Sequence, residues 1–202
     1  ASVSLEREAA ASSEPAAGGL LLAEAARIQL TRLGDWDEAA RLFDAATQAG
    51  LEQSQAPRAY ADVAASRGEF TRLMELLVAR ADANQGLVAS EALQDAALVA
   101  RNNLKEDDKA VELLNRALEN GDDWFTLRLL RELHYRAGSW AELADVLTRM
   151  AGLAAGSQAA RIWVEHGRIA ESEIKDVDAA AVAYEQALAS DPSDLEAFLA
   201  AC

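Results

Sequence analysis

Cysteine is nearly missing from this chain of 202 residues: there is one, Cys202, and it stands last. An intrachain disulfide is thereby excluded, as is a zinc cluster built on thiolates. Histidine is as scarce, with His134 and His166 its only examples, and they fall in different stretches of the chain. Three prolines and eleven glycines leave few breaks, and aromatic residues amount to only 5%, too few for the side-chain pairs on which sheets depend. No apolar run approaches the length of about 18 residues that a membrane span needs. Basic residues, 19 against 34 acidic ones, are outnumbered in both halves of the chain. Nucleic-acid affinity rests on Lys and Arg displacing counterions from phosphates, so a net charge of −15 argues against a nucleic-acid partner.

What is present is alanine, 47 residues of it, within a hydrophobic content of 51%. Alanine is the best helix former and lets helices approach closely. The composition points to an all-α protein.

Comparison of the chain with itself shows a repeat. A short turn precedes each of five amphipathic runs, beginning at Gly34, Gly68, Lys105, Gly138 and Lys175, at spacings of 34, 37, 33 and 37 residues. Five residues after each turn start comes a small or medium apolar residue: Ala39, Leu73, Ala110, Leu143, Ala180. Nine after it comes a large one: Phe43, Leu77, Leu114, Leu147, Tyr184. An offset of four places these on one helical stripe, and small residues facing large ones let two helices interlock. Asp35 with Glu38 and Ser139 with Glu142 fit the capping box at helix starts, while Gly34, Gly68 and Gly138 stand where a preceding helix must stop. Upstream of each turn lies another helical run, about 20–33, 56–67, 88–103, 124–137 and 158–173.

These units resemble the tetratricopeptide repeat (TPR). The last one carries the likeness best: Ala180, Tyr184, Ala187 and Pro192 follow the family's small–aromatic–Ala–Pro order. Trp163 and Gly167 fit its first helix if the turn is one residue longer. In the other units that glycine is replaced by Arg27, Ala61, Leu98 and Arg131. The resemblance implies an α-solenoid of about five antiparallel helix–turn–helix (TPR-like) repeats over 20–192, in units of about 20–50, 56–84, 88–120, 124–155 and 158–192. Residues 1–19 read as an N-terminal helix remnant and linker. Residues 193–202 read as the start of a further helix that is cut short, so the chain is expected to be a segment of a longer array.

Little here suggests chemistry. No nucleophile motif or phosphate-cradling loop occurs, and Glu106, Asp107 and Asp108 read as a solvated turn whose charge suits a helix start. No catalysis, no metal and no cofactor are expected. Trp36, Phe70 and Trp140 occupy equivalent positions and read as packing residues, whereas Trp124 is less constrained and a candidate for binding.

If the family geometry holds, first helices line a concave face, and Arg58, Asp62, Asn102, Arg128, Arg131, Glu132 and Tyr135 are expected to look into it. Arginine forks bind carboxylates bidentately and tyrosine adds rigid contact area. Arg128, Arg131, Tyr135 and Arg136 are therefore the best candidates for engaging an acidic or C-terminal peptide, unless the arginines merely pair with neighbouring carboxylates. The family's chaperone-gripping clamp has no counterpart here, because Glu24, Ile28, Asp62 and Ala96 stand in its places. The expected role is a noncatalytic protein–protein interaction scaffold, with the cytoplasm the favoured compartment and no insertion into membranes. The alternative is a self-assembly element that stacks into a homo-oligomer through its C-terminal end, where Leu195, Phe198 and Leu199 begin an apolar stripe.

Overall fold

A computed structural model describes residues 2–12, 14–51 and 55–193, with the backbone alone for 55–58. Eleven helices and no strand occur among the described residues. They are α1 (Ser2–Ala11), α2 (Pro15–Ile28), α3 (Trp36–Gln48), α4 (Gln55–Arg67), α5 (Phe70–Asp82), α6 (Gly86–Val99), α7 (Asp107–Leu118), α8 (Trp124–Ala137), α9 (Trp140–Leu153), α10 (Gly156–Ile169) and α11 (Val177–Ser190). From α2 onward they form pairs joined by short turns at the five expected places. The chain divides into two compact units, Ala1–Leu77 and Val78–Cys202, the boundary falling within α5.

One backbone feature sets the length of every first helix. Its last turn closes on a residue in the left-handed conformation: Gly34, Gly68 and Gly138, but also Lys105 at φ 63° and Lys175 at φ 65°. For a residue with a Cβ that conformation costs about 1–2 kcal/mol. The Nζ of Lys105 offsets part of this by donating to the carbonyl of Asn102 at 2.7 Å.

The units differ in how they reach this residue. Helices α4 and α8 end on a backbone bond spanning five residues, Glu69 N–H to Ala64 C=O and Ser139 N–H to His134 C=O. Helices α2, α6 and α10 instead run into a π-type turn, Gln29–Leu33, Ala100–Leu104 and Ala170–Ile174. There the closing bond spans six residues: Asp35 to Gln29, Glu106 to Ala100, Asp176 to Ala170. The extra residue shifts the register of the first helix. Counted eight back from the left-handed residue, Ala26, Ala97 and Gly167 are equivalent, and all three are buried. The comparison that set Arg27 and Leu98 against Gly167 is thereby corrected: in those two units the small residue is present, one place earlier. Hairpins thus alternate in type, with like turns 71 residues apart from Gly34 to Lys105 and 70 from Lys105 to Lys175.

In the first unit, α2 begins at Pro15, which suits a first helical position because its missing N–H would be unpaired there anyway. The linker expected to reach residue 19 is therefore shorter, since the helix already runs from Pro15. Gly18 and Gly19 lie inside the helix, where a Cβ would come within 3.2 Å of the Ala9 carbonyl oxygen and 3.1 Å of that of Ala46. Both glycines let α1 and α3 approach. Trp36 stacks on Tyr60 with ring centres 5.8 Å apart, and Phe43 meets the same ring edge-on at 5.2 Å. The indole N–H of Trp36 donates to Glu69 at 2.6 Å, the packing role expected of it.

The second unit stacks three hairpins on a core in which Leu113, Leu114, Leu127, Leu130, Leu143 and Leu147 are fully buried. Small–large interlocking is closest at Gly167, where a Cβ would lie 2.4 Å from the ring of Tyr184. The Tyr184 hydroxyl donates to Glu171 at 3.0 Å. A half-buried polar link ties α6 to α8: Gln94 donates to the Thr126 hydroxyl at 2.9 Å, and that hydroxyl donates in turn to Asp123. Asp123 also caps α8 by accepting from the Thr126 N–H at 2.9 Å. Second helices are joined by ion pairs such as Arg116 to Asp82 at 2.6 Å.

Candidate functional site

Helix α8 supplies most of the expected site, and its sequence explains which side chains reach solvent. Thr126, Leu127, Leu129, Leu130, Leu133 and His134 form its buried stripe. Phe125, Arg128, Glu132, Tyr135 and Arg136 are left exposed on the other side.

The exposed residues and the half-buried Arg131 have different fates. Arg131 forks onto Glu165 of α10, its Nε and Nη2 each donating at 2.9 Å. Glu132 accepts from Arg101 of the π-type turn after α6 and, at 2.9 Å, from Arg136. Burial pushes the Glu132 carboxyl up, but Arg101 and then Arg136 outweigh it and hold the group below the ordinary carboxylate range. Helices α8 and α10 and the π-type turn after α6 are thus laced together by Arg101–Glu132 and Arg131–Glu165, so Arg131 and Glu132 are spent on internal pairing. Tyr135, 62% exposed, rests edge-on against Trp140 at 5.7 Å.

Arg128 is placed differently. Its guanidinium lies over the Phe125 ring, 5.8 Å from the centre, and no described carboxylate pairs with it. One turn before it stands Trp124, 38% exposed. Across from them on α10, Arg161 is exposed and likewise has no ion-pair partner among the described residues. Between the two helices is an open groove of about 260 Å³, lined by Trp124, Arg131, Met150, Ser157, Arg161 and Glu165. Trp124, Arg128 and Arg131 share one face of α8 by their i, i+4, i+7 spacing. Arg161 was missed in the sequence; its one available signal is its place on the first helix that follows Arg128 by a unit.

The remaining candidates stand on α4 and in the turn after α6. Asn102 is exposed in the π-type turn after α6, and Asp62 is exposed on α4 in the other unit. Arg58 is on α4, but its side chain lies outside the described residues. Asp95 of α6 is exposed, yet partial desolvation pushes its carboxyl up, with Arg80 drawing it down and Glu91 adding to the rise.

A larger concavity, about 630 Å³, opens on the side of the second helices, between α7 and α9. Its walls carry Asp108 and Glu112 from α7 and Glu142 and Asp145 from α9. Its floor includes Leu133 and His134 of α8. His134 is 8% exposed; burial pushes its imidazole below the ordinary range, with Glu142 acting in the opposite sense. His166 is shifted down in the same way, against Asp145, and its Nδ1 is buried without a hydrogen-bond partner. No group of His, Cys, Asp or Glu among the described residues is disposed to hold a metal ion. No helix among them is long and apolar enough to cross a membrane.

No family model matches the chain, and no curated protein matches it. Among solved structures it is similar to YrrB, described as a TPR protein with an unusual peptide-binding site, at 14% identity over 99% of this chain and 98% of that one, with a TM-score of 0.47. What this chain binds has to be read from its own surface.

Proposed function

We propose that the chain is a noncatalytic scaffold that holds an acidic segment of a partner protein, or an acidic C-terminal peptide, against the first-helix face of α8 and α10. The observation that carries this reading is the pair Arg128 and Arg161, two exposed guanidiniums without described carboxylate partners, flanking the half-exposed Trp124. Neighbouring arginines are tied up in the lattice that fixes the helices. A fork left free beside an aromatic ring supplies charge-assisted hydrogen bonds and rigid apolar contact together. Because the helices are already laced by ion pairs, the partner would have little of the receptor to order, which saves part of the cost of binding.

Fluorescence anisotropy with a labelled acidic peptide ending in a free carboxylate tests this. Wild type should bind it, Arg128→Glu/Arg161→Glu should lose at least tenfold in affinity, and Asp62→Asn should bind as wild type does. Equal affinity in the double variant would refute the assignment. The self-assembly reading rests on Leu195, Phe198 and Leu199, which lie outside the described residues, and nothing described favours it.

A further inference from the structure

The groove between α7 and α9 differs in every respect from the face just described. Its carboxylates come from two helices of successive hairpins. Asp108 and Glu112 are one helical turn apart on α7, and Glu142 and Asp145 one turn apart on α9. Two arginines line it as well, but both are engaged: Arg136 with Glu132 at 2.9 Å and Asp107 at 3.5 Å, and Arg149 with Asp122. Glu112 has Lys109 at 2.8 Å. Asp108, Glu142 and Asp145 have no cationic side chain at ion-pair distance among the described residues.

The floor adds an independent feature. His134 is more than nine-tenths buried, lines the groove, and its ring makes no hydrogen bond to any described residue. Beside it Val111 and Val146 give the floor an apolar lining. Unlike Nδ1 of His166, the ring nitrogens of His134 are not cut off from solvent, so the imidazole is open to a hydrogen bond from the groove it lines. Burial favours the neutral ring, which offers one nitrogen as an acceptor.

We propose that the α7–α9 groove is a second binding site, one that takes the ammonium or guanidinium group of a cationic ligand, with the carboxylates of Asp108, Glu142 and Asp145 neutralising the charge and His134 accepting a hydrogen bond. The apolar floor suits the methylene stem that carries such a head group. A compact metal ion is a poor occupant, because no three potential ligands converge; an extended cation spans carboxylates spread over two helices. The chemistry is shared by a lysine or arginine of a basic protein segment and by a free diamine.

Calorimetry on the full chain separates the sources and tests the site. The probes are the peptide acetyl-Ala-Lys-Ala-Ala-Lys-Ala-amide, the same peptide acetylated on both lysines, and 1,5-diaminopentane. Binding by the lysine peptide but not its acetylated form is expected. Affinity should fall at least tenfold in Glu142→Gln/Asp145→Asn and at least threefold in His134→Phe, with His134→Gln retaining more than His134→Phe. A charge-matched control on α11, Asp178→Asn/Glu185→Gln, should change it less than twofold. Binding of the diamine as tightly as the peptide supports the same site with a small amine as its ligand. Equal losses in the two double variants would mean diffuse attraction to an acidic protein and would overturn the proposal, as would absence of binding by both probes or retention by the acetylated peptide. Circular dichroism melts confirm that each variant compared is folded.

Discussion

Arg131 of α8 grips Glu165 of α10 through two parallel hydrogen bonds of 2.9 Å each, while Arg128, one turn earlier on the same helix, grips no described carboxylate. Two arginines that look alike in the sequence therefore do different work. One fixes helices; the other is the one proposed to meet a partner. A double-mutant cycle of Arg131→Ala and Glu165→Ala should give a coupling of about 1 kcal/mol, near the upper end for a half-exposed pair because the geometry is bidentate. The coupling should shrink with added salt. Arg128→Ala should change stability by less than about 0.5 kcal/mol, as chemical denaturation would show.

At Gly167 two effects oppose each other. Alanine in a helix gains about 1 kcal/mol over glycine, but here its Cβ would meet the Tyr184 ring at 2.4 Å. Overpacking of that kind costs about 1–3 kcal/mol and should win, so Gly167→Ala should destabilise by up to about 2 kcal/mol net. The same change made in a Tyr184→Ala background should stabilise. Thermal melts of the four proteins decide it.

Lys105 and Lys175 hold a conformation that glycine adopts without a Cβ penalty. Lys175→Gly should raise stability by about 1 kcal/mol. Lys105→Gly should raise it less, because the substitution also removes the hydrogen bond from Nζ to the Asn102 carbonyl. Equal gains at both sites would contradict the role given to that bond.

Both histidines lie below their ordinary value of 6.5, chiefly through burial. The unfolded chain therefore takes up protons before the folded one as the pH drops. Their contribution to stability is complete above about pH 6.5 and is lost as the pH falls through that value towards the folded pKa. Glu132, shifted down, contributes a similar loss only at lower pH, below the ordinary carboxylate value of 4.5. Denaturation midpoints should fall between pH 7 and pH 5.5 in wild type and stay nearly flat in His134→Gln/His166→Gln. A slope unchanged in that variant would assign the effect elsewhere.

The hairpins were legible in the sequence because their signals are local. The small residue at offset five and the large one at offset nine mark the second helix wherever they fall, and the turn glycines mark the end of the first. The extra residue in the π-type turns was not legible, because Lys105 and Lys175 occupy a place where glycine would announce the left-handed turn. That single residue put Arg27 and Leu98 in the positions held by Ala26 and Ala97. Of the candidate binding residues, Arg128 could be read from its helix alone. The pairing of Arg131 and Glu132 could not, since Glu165 and Arg101 belong to neighbouring hairpins and only the stacking brings them near. The acidic groove went unseen for the same reason, although one signal was available: Glu112 and Asp145 stand at the same offset, seven residues after Lys105 and Gly138.

The most direct test of the scaffold reading is where a bound acidic peptide touches the protein. In a nuclear magnetic resonance titration, the indole N–H of Trp124 and the side-chain Nε–H groups of Arg128 and Arg161 should show the largest shifts, saturating together, while the amides of α7 and α9 remain nearly still. Shifts centred elsewhere, or a peptide that binds without moving those three resonances, would contradict the placement of the partner on the first-helix face.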